Sequence, residues 1–532
     1  MPMLTPSRRR VARSAMLLWL LTTPAIAFAD PPAGFEQAVE ELRKSVGVPG
    51  MSIAIVENGK VTLAKGFGVR KMGAADTVTA DTIFPNGSTG KAFTTAALAV
   101  LVDQGKIGWD DKVIDRLPGF QMYDPWVTRE MTIRDLLVHR SGLGLGAGDL
   151  LFVPSTNLTR KEAVRRLRFI KPATSFRSGY AYDNILYMVA GQLIEEVSGQ
   201  TWEAFVAEHV LRKGGLKTAT SDDPHRFATA NRAFPHARIS GAFRGVGAQE
   251  MLDERKALGN TAAPAGGLAV SANDMARWLQ IQLAHGKLPE GGQLFSEAQS
   301  NEMWKPVVLM PTGKLPEPMK AAQSMFNTYA LGWDVKDYKG ARIVSHGGAV
   351  FGFQANVVLI PERNIGFAIL INSEDGETIL GLTNQLLDHY LEKPTQDWPA
   401  TWRAFKKQRQ ERALQQLGAA TATPAGVGPS LPLARYAGTF ADPWYGPISI
   451  REEQGKLRID FKQSPGMTGT LEHWQYDSFR TRWDDKSYEP AYVNFALGAD
   501  GGIERITMKP VSPVADFSWD YQDLLFTPVA GK

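Results

Sequence analysis

Apolar residues recur at helical spacing after Gly87. Phe93, Ala97, Val100 and Leu101 form one stripe, which predicts a buried helix that starts close to Ser88 and closes at Gln104-Gly105. Upstream, residues 35–46 have the period of an amphipathic helix, and 51–56 and 61–67 are apolar runs joined at Asn58-Gly59, the signal of a β-hairpin that begins a sheet. Residues 131–143 read as a short helix with a glycine stop. Leu186, Val189, Ala190, Leu193, Ile194 and Val197 form a second buried stripe that ends at Gly199. Ser271 is placed to cap a helix over 274–285. Strand patterns return at 341–353, 354–360 and 365–372 with a turn at 361–364, so an antiparallel meander is expected, closed by a helix over 378–391.

The pattern then changes. Residues 392–412 are charged and polar, and 418–430 are rich in Ala, Gly and Pro, a linker composition. Beyond them, short alternating runs such as Leu457-Arg-Ile-Asp-Phe461, with turns at Gln454-Gly455 and Asp500-Gly501, predict a small β-barrel or sandwich. Its Trp444, Trp474, Trp483 and Trp519 suit core packing ahead of a ligand groove. Residues 211–261 and 303–326 lack clear periodicity and read as surface excursions, the first a candidate lid. The chain thus divides into a leader at 1–29, a large domain at 30–391, a linker at 392–430 and a C-terminal domain at 431–532.

Composition narrows the class. With 532 residues, 44% hydrophobic and 21% charged, the chain is globular and long enough for several domains. The leader departs from this: Arg8, Arg9, Arg10 and Arg13 precede an apolar run from Ala15 to Ala27, and Ala27-Phe28-Ala29 offers a small-x-small cleavage site. That is a secretory signal peptide, too short to stay as a membrane anchor, and Ser7-Arg-Arg-Arg-Val11 also admits twin-arginine export. A periplasmic or secreted protein without a membrane anchor is expected. The leader takes four arginines and no acid from 59 basic and 55 acidic residues, which leaves the mature charges balanced and removes the compositional support for a nucleic-acid partner. The chain has no cysteine, so disulfides, thiolate catalysis and cysteine-ligated metals are excluded. Its histidines show no paired ligand spacing, and neither a metal nor another cofactor is expected.

Candidate chemistry starts at the predicted helix. Lys91 lies three residues after Ser88, so amine and hydroxyl share one face at a helix N-terminus, where burial and the helix dipole favour a neutral amine that can take the serine proton. A capping serine beside a solvated lysine is the bland alternative. Tyr182 and Asn184 stand two apart at the entry to the second stripe. If that entry meets Ser88, the phenol can shuttle a proton and the amide can hold a substrate carbonyl or the Lys91 amine. In the third stretch, a strand runs into His346-Gly-Gly348. Its glycines allow close approach, its amides near Gly348 and Ala349 could join that of Ser88 around an oxyanion, and His346 would face substrate. His139 beside a helix end reads as structural.

Ser88-Thr-Gly-Lys91, Tyr182-Asp-Asn184 and His346-Gly-Gly348 occur in one order, together with Leu136-Leu-Val-His-Arg-Ser-Gly-Leu143 and Ala263-Pro-Ala-Gly-Gly-Leu268. Over residues 35–390 this set closely resembles the serine β-lactamase-related family of class C β-lactamases, D-alanyl-D-alanine carboxypeptidases, D-aminopeptidases and related esterases. The resemblance implies an α+β fold: an antiparallel sheet flanked by helices plus an all-helical subdomain, with the site between them. By position it makes Ser88 the acylated nucleophile, Lys91 and Tyr182 its general bases, Asn184, His346 and Gly348 substrate contacts, and the amides of Ser88 and Ala349 the oxyanion hole. Class C β-lactamases carry lysine where this chain has His346, as D-aminopeptidases and many esterases do not, which speaks against efficient penicillin hydrolysis. The tail resembles a lipocalin-like domain, a small β-barrel that shapes substrate access or assembly and admits a homo-oligomer. The implied activity is that of an exported serine hydrolase on amide bonds of short peptides, D-residues included. The alternatives are an esterase or weak β-lactamase on small esters or lactams, and an acylatable or non-catalytic binding or sensor protein.

Overall fold

The computed structural model describes residues 1–2, 31–256, 258–420 and 427–529. Residues 3–29 of the expected signal peptide lie outside the described residues.

An open sheet organises the first domain. The hairpin of β1 (Gly50–Glu57) and β2 (Lys60–Gly68) turns at Asn58 and Gly59, both at positive φ, as a two-residue hairpin loop demands. The chain returns to this sheet through β3 (Val308–Met310), β4 (Asn327–Tyr329), β5 (Asp334–Tyr338), β6 (Ala341–Val350), β7 (Phe353–Ile360) and β8 (Ile365–Ile371). The eight strands run in the order β2-β1-β8-β7-β6-β5-β4-β3, antiparallel throughout, so the last strand closes on the N-terminal hairpin. Both faces are buried, and the strand period sorts the side chains between them. Ile53, Ile55, Ile369 and Ile371 share one core with α1 (Phe35–Val46) and α5 (Gly376–Tyr390). Ala54, Val56, Ala368 and Leu370 face the other core, with α2 (Lys91–Asp103) and α4 (Ala272–Leu283). Phe93 stacks there on Trp278 at 3.9 Å. Ser271 caps α4 in a full capping box, as its position predicts.

The helical part lies between α2 and α4 and centres on α3 (Ile185–Ser198), the second apolar stripe. Residues 131–143 differ from the expected helix. Only Asp135–Leu137 form a single 3-10 turn, because the Asp135 carboxylate takes the amide and hydroxyl of Thr132 and His139 sits in the left-handed region. The helix expected to begin near Ser88 starts with a 3-10 turn, Gly87–Gly90, before α2.

Much of the predicted linker is helix: α6 (Trp398–Ala420) packs along α5, with the Trp398 indole donating to Asp388 at 2.7 Å. The C-terminal domain is a closed antiparallel barrel of eight strands, Gly438–Asp442 through Leu525–Pro528. Its interior is filled by rings, among them Tyr436, Tyr445, Phe461, Phe479, Phe495 and Phe526, which pack edge to face. Trp444 and Trp483 belong to this core, and Trp474 packs on Tyr492. Trp519 does not. It lies on the segment between the last two strands, stacks on Phe351 of the sheet domain and helps to wall the cleft at Ser88.

Candidate functional site

Ser88 and Lys91 occupy the junction of the 3-10 turn and α2. Lys91 is fully buried, and its Nζ lies 3.0 Å from Ser88 Oγ, 2.7 Å from Asn184 Oδ1 and 2.9 Å from the Ala265 carbonyl. Two of these partners are carbonyl oxygens that only accept. A neutral amine satisfies both with its two hydrogens and turns its lone pair to the serine hydroxyl. Burial lowers the Lys91 pKa to about 7, against the opposing pull of the Asp149 and Asp183 carboxylates. The solvated-lysine alternative therefore fails: this amine has no water-facing surface and three protein partners.

Tyr182 and Asn184 come to the same place at the entry to α3. The Tyr182 ring lies 4.9 Å from Lys91 Nζ, and burial raises its hydroxyl well above the usual phenol range, with its hydrogen-bond contact to Ser88 acting the other way. The phenol therefore keeps its proton at working pH. Asn184 joins two groups: its Oδ1 accepts from Lys91 and its Nδ2 donates to Asp149 Oδ2 at 2.8 Å. His139 is structural, as expected. Its Nδ1 accepts from the Asp183 amide and its ring lies 4.1 Å from that of Tyr182, as a bed for the phenol.

The third motif runs along β6. Only residues 341–345 of this strand pair with β5, so from His346 onward that edge is open and lies against the Ser88 turn. Contact is close enough to require glycine on both sides. A Cβ on Gly348 would meet the Asn86 carbonyl at 2.1 Å, and one on Gly87, held at φ +52°, would meet the Ala349 amide nitrogen at 2.7 Å. His346 lines the cleft beside Ser88 with both ring nitrogens engaged. Nδ1 lies 2.6 Å from the Gly347 carbonyl, which only accepts, so Nδ1 carries the hydrogen and Nε2 accepts from the Tyr329 hydroxyl at 2.7 Å. Burial and the nearby Lys91 charge push its pKa down to about 3. The ring is neutral, where a lysine would be cationic.

Two limbs of the cleft meet at Ser88. A limb of about 270 Å³ is walled by Phe152, Val153, Phe351, Val514 and Trp519, and a wider one of about 800 Å³ by Tyr180, Asp334, His346, Trp402 and Arg409. The 211–261 excursion reaches this cleft, since Arg244 and Gly245 border both limbs and Arg244 is held by a bidentate pair with Glu374. Sequence reasoning missed Asp149, Tyr329 and the barrel residues Asp516 to Ser518, which stand in no local pattern with the three motifs; Trp519, named for core packing ahead of a ligand groove, is buried and also walls the cleft. The Gly148-Asp149 turn follows the Leu136–Leu143 stretch directly, and that proximity was the one available signal.

The model of the β-lactamase family matches residues 35–392, and the chain belongs to that family of serine hydrolases. A second model, described as a domain of unknown function (DUF3471), matches residues 422–528, which contain the barrel. Among curated relatives, an unguisins hydrolase of Aspergillus campestris is 27% identical over 451 residues, 81% of this chain and 80% of that protein. Penicillin-binding protein 4 of Amycolatopsis lactamdurans is 27% identical over 349 residues, 64% of this chain and 85% of its own. Among solved structures, the octameric penicillin-binding protein homologue from Pyrococcus abyssi shares the fold with a TM-score of 0.57 at 21% identity, over 90% of this chain and 98% of that one.

Proposed function

We propose that the protein is an exported hydrolase that cleaves amide bonds of short peptides, D-residues included, through an acyl-enzyme on Ser88. One observation carries the reading: two acceptor-only oxygens take the Lys91 hydrogens and leave its lone pair aimed at the Ser88 hydroxyl 3.0 Å away. Lys91 takes the hydroxyl proton as Ser88 Oγ attacks the carbonyl carbon. The amides of Ser88 and Ala349, brought together by the glycine contacts, hold the developing oxyanion. Tyr182 then gives its proton to the leaving nitrogen and takes in its place the serine proton held by Lys91, and water releases the acyl group by the reverse sequence.

A protonated phenol at this point favours amides over esters, because an amine leaves only when protonated. The neutral His346 supports the same choice against β-lactams, whose carboxylate would find no cation there. Export rests on the leader sequence. The test is a parallel assay of D-alanyl and L-alanyl p-nitroanilides, p-nitrophenyl acetate and a chromogenic cephalosporin, with wild type and Ser88→Ala. Anilide turnover that vanishes in Ser88→Ala is expected. Turnover of the ester alone would make the protein an esterase, a single covalent adduct would make it a sensor, and activity surviving in Ser88→Ala would remove the assignment.

A further inference from the structure

We propose that the C-terminal barrel completes the catalytic site in cis: the Ser518 hydroxyl, acting through Asp149 and Asn184, is a positioning group that fixes the Lys91 amine against Ser88 and decides where the proton of that chain rests. The inference stands on the serine-hydrolase reading above. Its geometry is a continuous line of hydrogen bonds from one domain to the other. Ser518 Oγ donates to Asp149 Oδ2 at 2.7 Å, Asn184 Nδ2 donates to the same oxygen at 2.8 Å, and Asn184 Oδ1 accepts from Lys91 at 2.7 Å.

The docking around this line is built, not incidental. The Asp520 carboxylate accepts from the Gly148 amide at 2.7 Å and the Leu150 amide at 3.0 Å, so it grips the turn that carries Asp149 from both sides. Phe517 packs edge-on against the Tyr182 ring at 5.7 Å, and its carbonyl lies 2.6 Å from where a Cβ on Gly146 would stand. The sheet domain supplies nucleophile and base, and the barrel fixes the far end of the chain that holds the base.

The proton balance follows from the orphaned oxygen. Asp149 is fully buried, both donors converge on Oδ2, and Oδ1 makes no hydrogen bond. Burial raises this carboxyl to about 7, opposed by the Ser518 and Asn184 hydrogen bonds and by Lys91, while Asp516 reinforces the rise. The other titratable groups facing the pair are Asp520 beside Asp149, raised by burial, and Asp183, His139, His346, Tyr182 and Tyr187 around Lys91, the two phenols raised by burial and so neutral. Both histidines are held neutral by burial. Ser518 favours the Asp149 carboxylate, and that carboxylate in turn favours the Lys91 ammonium. Without the hydroxyl, Asp149 keeps its proton to higher pH, its charge no longer holds the ammonium, and Lys91 becomes a free base at lower pH.

The experiment measures the rate at which a fluorophosphonate labels Ser88 as a function of pH, read by intact mass in the full chain. In that step Ser88 Oγ forms a bond to phosphorus, fluoride leaves and the serine proton passes to Lys91. Ser518→Val and Ser518→Thr have nearly the same shape and differ in the hydroxyl. Ser518→Val is expected to label about tenfold more slowly at its optimum, with the acid limb moved to lower pH by about half a unit, and Ser518→Thr to restore rate and limb. An acid limb that stays in place in Ser518→Val, or Val and Thr variants that match each other, overturns the inference while Ser88 labelling in wild type leaves the hydrolase reading intact. Absence of labelling at Ser88 in wild type overturns that reading, and the inference falls with it.

Discussion

Of the two eight-stranded sheets, the open one leaves β6 paired on one side only after Ser345, whereas the barrel pairs each strand with two others and fills its interior with rings. The half-paired stretch, His346 to Val350, joined to β7 alone, is where strand amides, a neutral imidazole and the Ser88 turn converge. Closure in the barrel removes the edge that could do this, and aromatic side chains occupy its interior. Chemistry in this molecule belongs to interrupted pairing. The barrel reaches the cleft through Val514 to Trp519 and Glu489, while Ser487, Asp485 and the Trp444 and Tyr445 carbonyls tie it to the sheet domain elsewhere.

The largest effect expected from breaking this division comes from the amine. Lys91→Ala should lower kcat/KM on the wild-type substrate by about 10⁴-fold and erase the acid limb near pH 7. Stopped or steady-state kinetics against pH would show it, and a limb that survives would place the base elsewhere. Next comes the edge strand. In Gly348→Ala the added carbon meets the Asn86 carbonyl at 2.1 Å, so β6 must withdraw from the Ser88 turn and kcat should fall about 10²-fold. Gly347→Ala, one residue away, meets nothing within 4 Å and should keep wild-type kcat to within about twofold. Equal losses in the two variants would mean that the close approach is not what matters. The barrel interior should answer in the opposite currency of stability alone. Phe479, packed on Tyr436 at 5.2 Å and Phe495 at 5.5 Å, should cost about 3–5 kcal/mol as Phe479→Ala in denaturant unfolding while kcat of the folded protein is unchanged.

How much of this the sequence carried depends on distance along the chain. The Ser88 and Lys91 pair is local: three residues on one helical face suffice to predict that hydroxyl and amine meet, and the Asn58-Gly59 turn is local too. Asp149, Tyr329 and Ser518 are joined to the site only by folding, the last across 369 residues to Asp149, and no periodicity marks such a contact. The helix over Trp398–Ala420 escaped for another reason. Among its described side chains only Trp398 and Ala413 are fully buried, so its chain of charges shows no apolar stripe and resembles a linker. His346 was readable as a position beside substrate but not as a neutral group, because its charge is set by burial and by the Lys91 amine, which only folding brings beside it.

That last point gives the smallest expected effect and the sharpest use of the open edge. His346 already has its donor spent on the Gly347 carbonyl and its acceptor on Tyr329, and it titrates at about 3, far below the Lys91 amine at about 7. Over the working range it therefore carries no charge to exchange with Lys91. His346→Asn removes the ring but not a charge, so the acid limb of kcat/KM should stay within about 0.3 units of wild type, even if its height drops several-fold through loss of the Tyr329 hydrogen bond. The sign of any larger movement is informative. An imidazolium near Lys91 would hold the amine neutral, so if the wild-type ring were charged, its removal would raise the Lys91 pKa and move the limb to higher pH. A limb displaced upward by a full unit would show that the open edge presents a cation to substrate after all, and the argument against carboxylate-bearing substrates would fail with it.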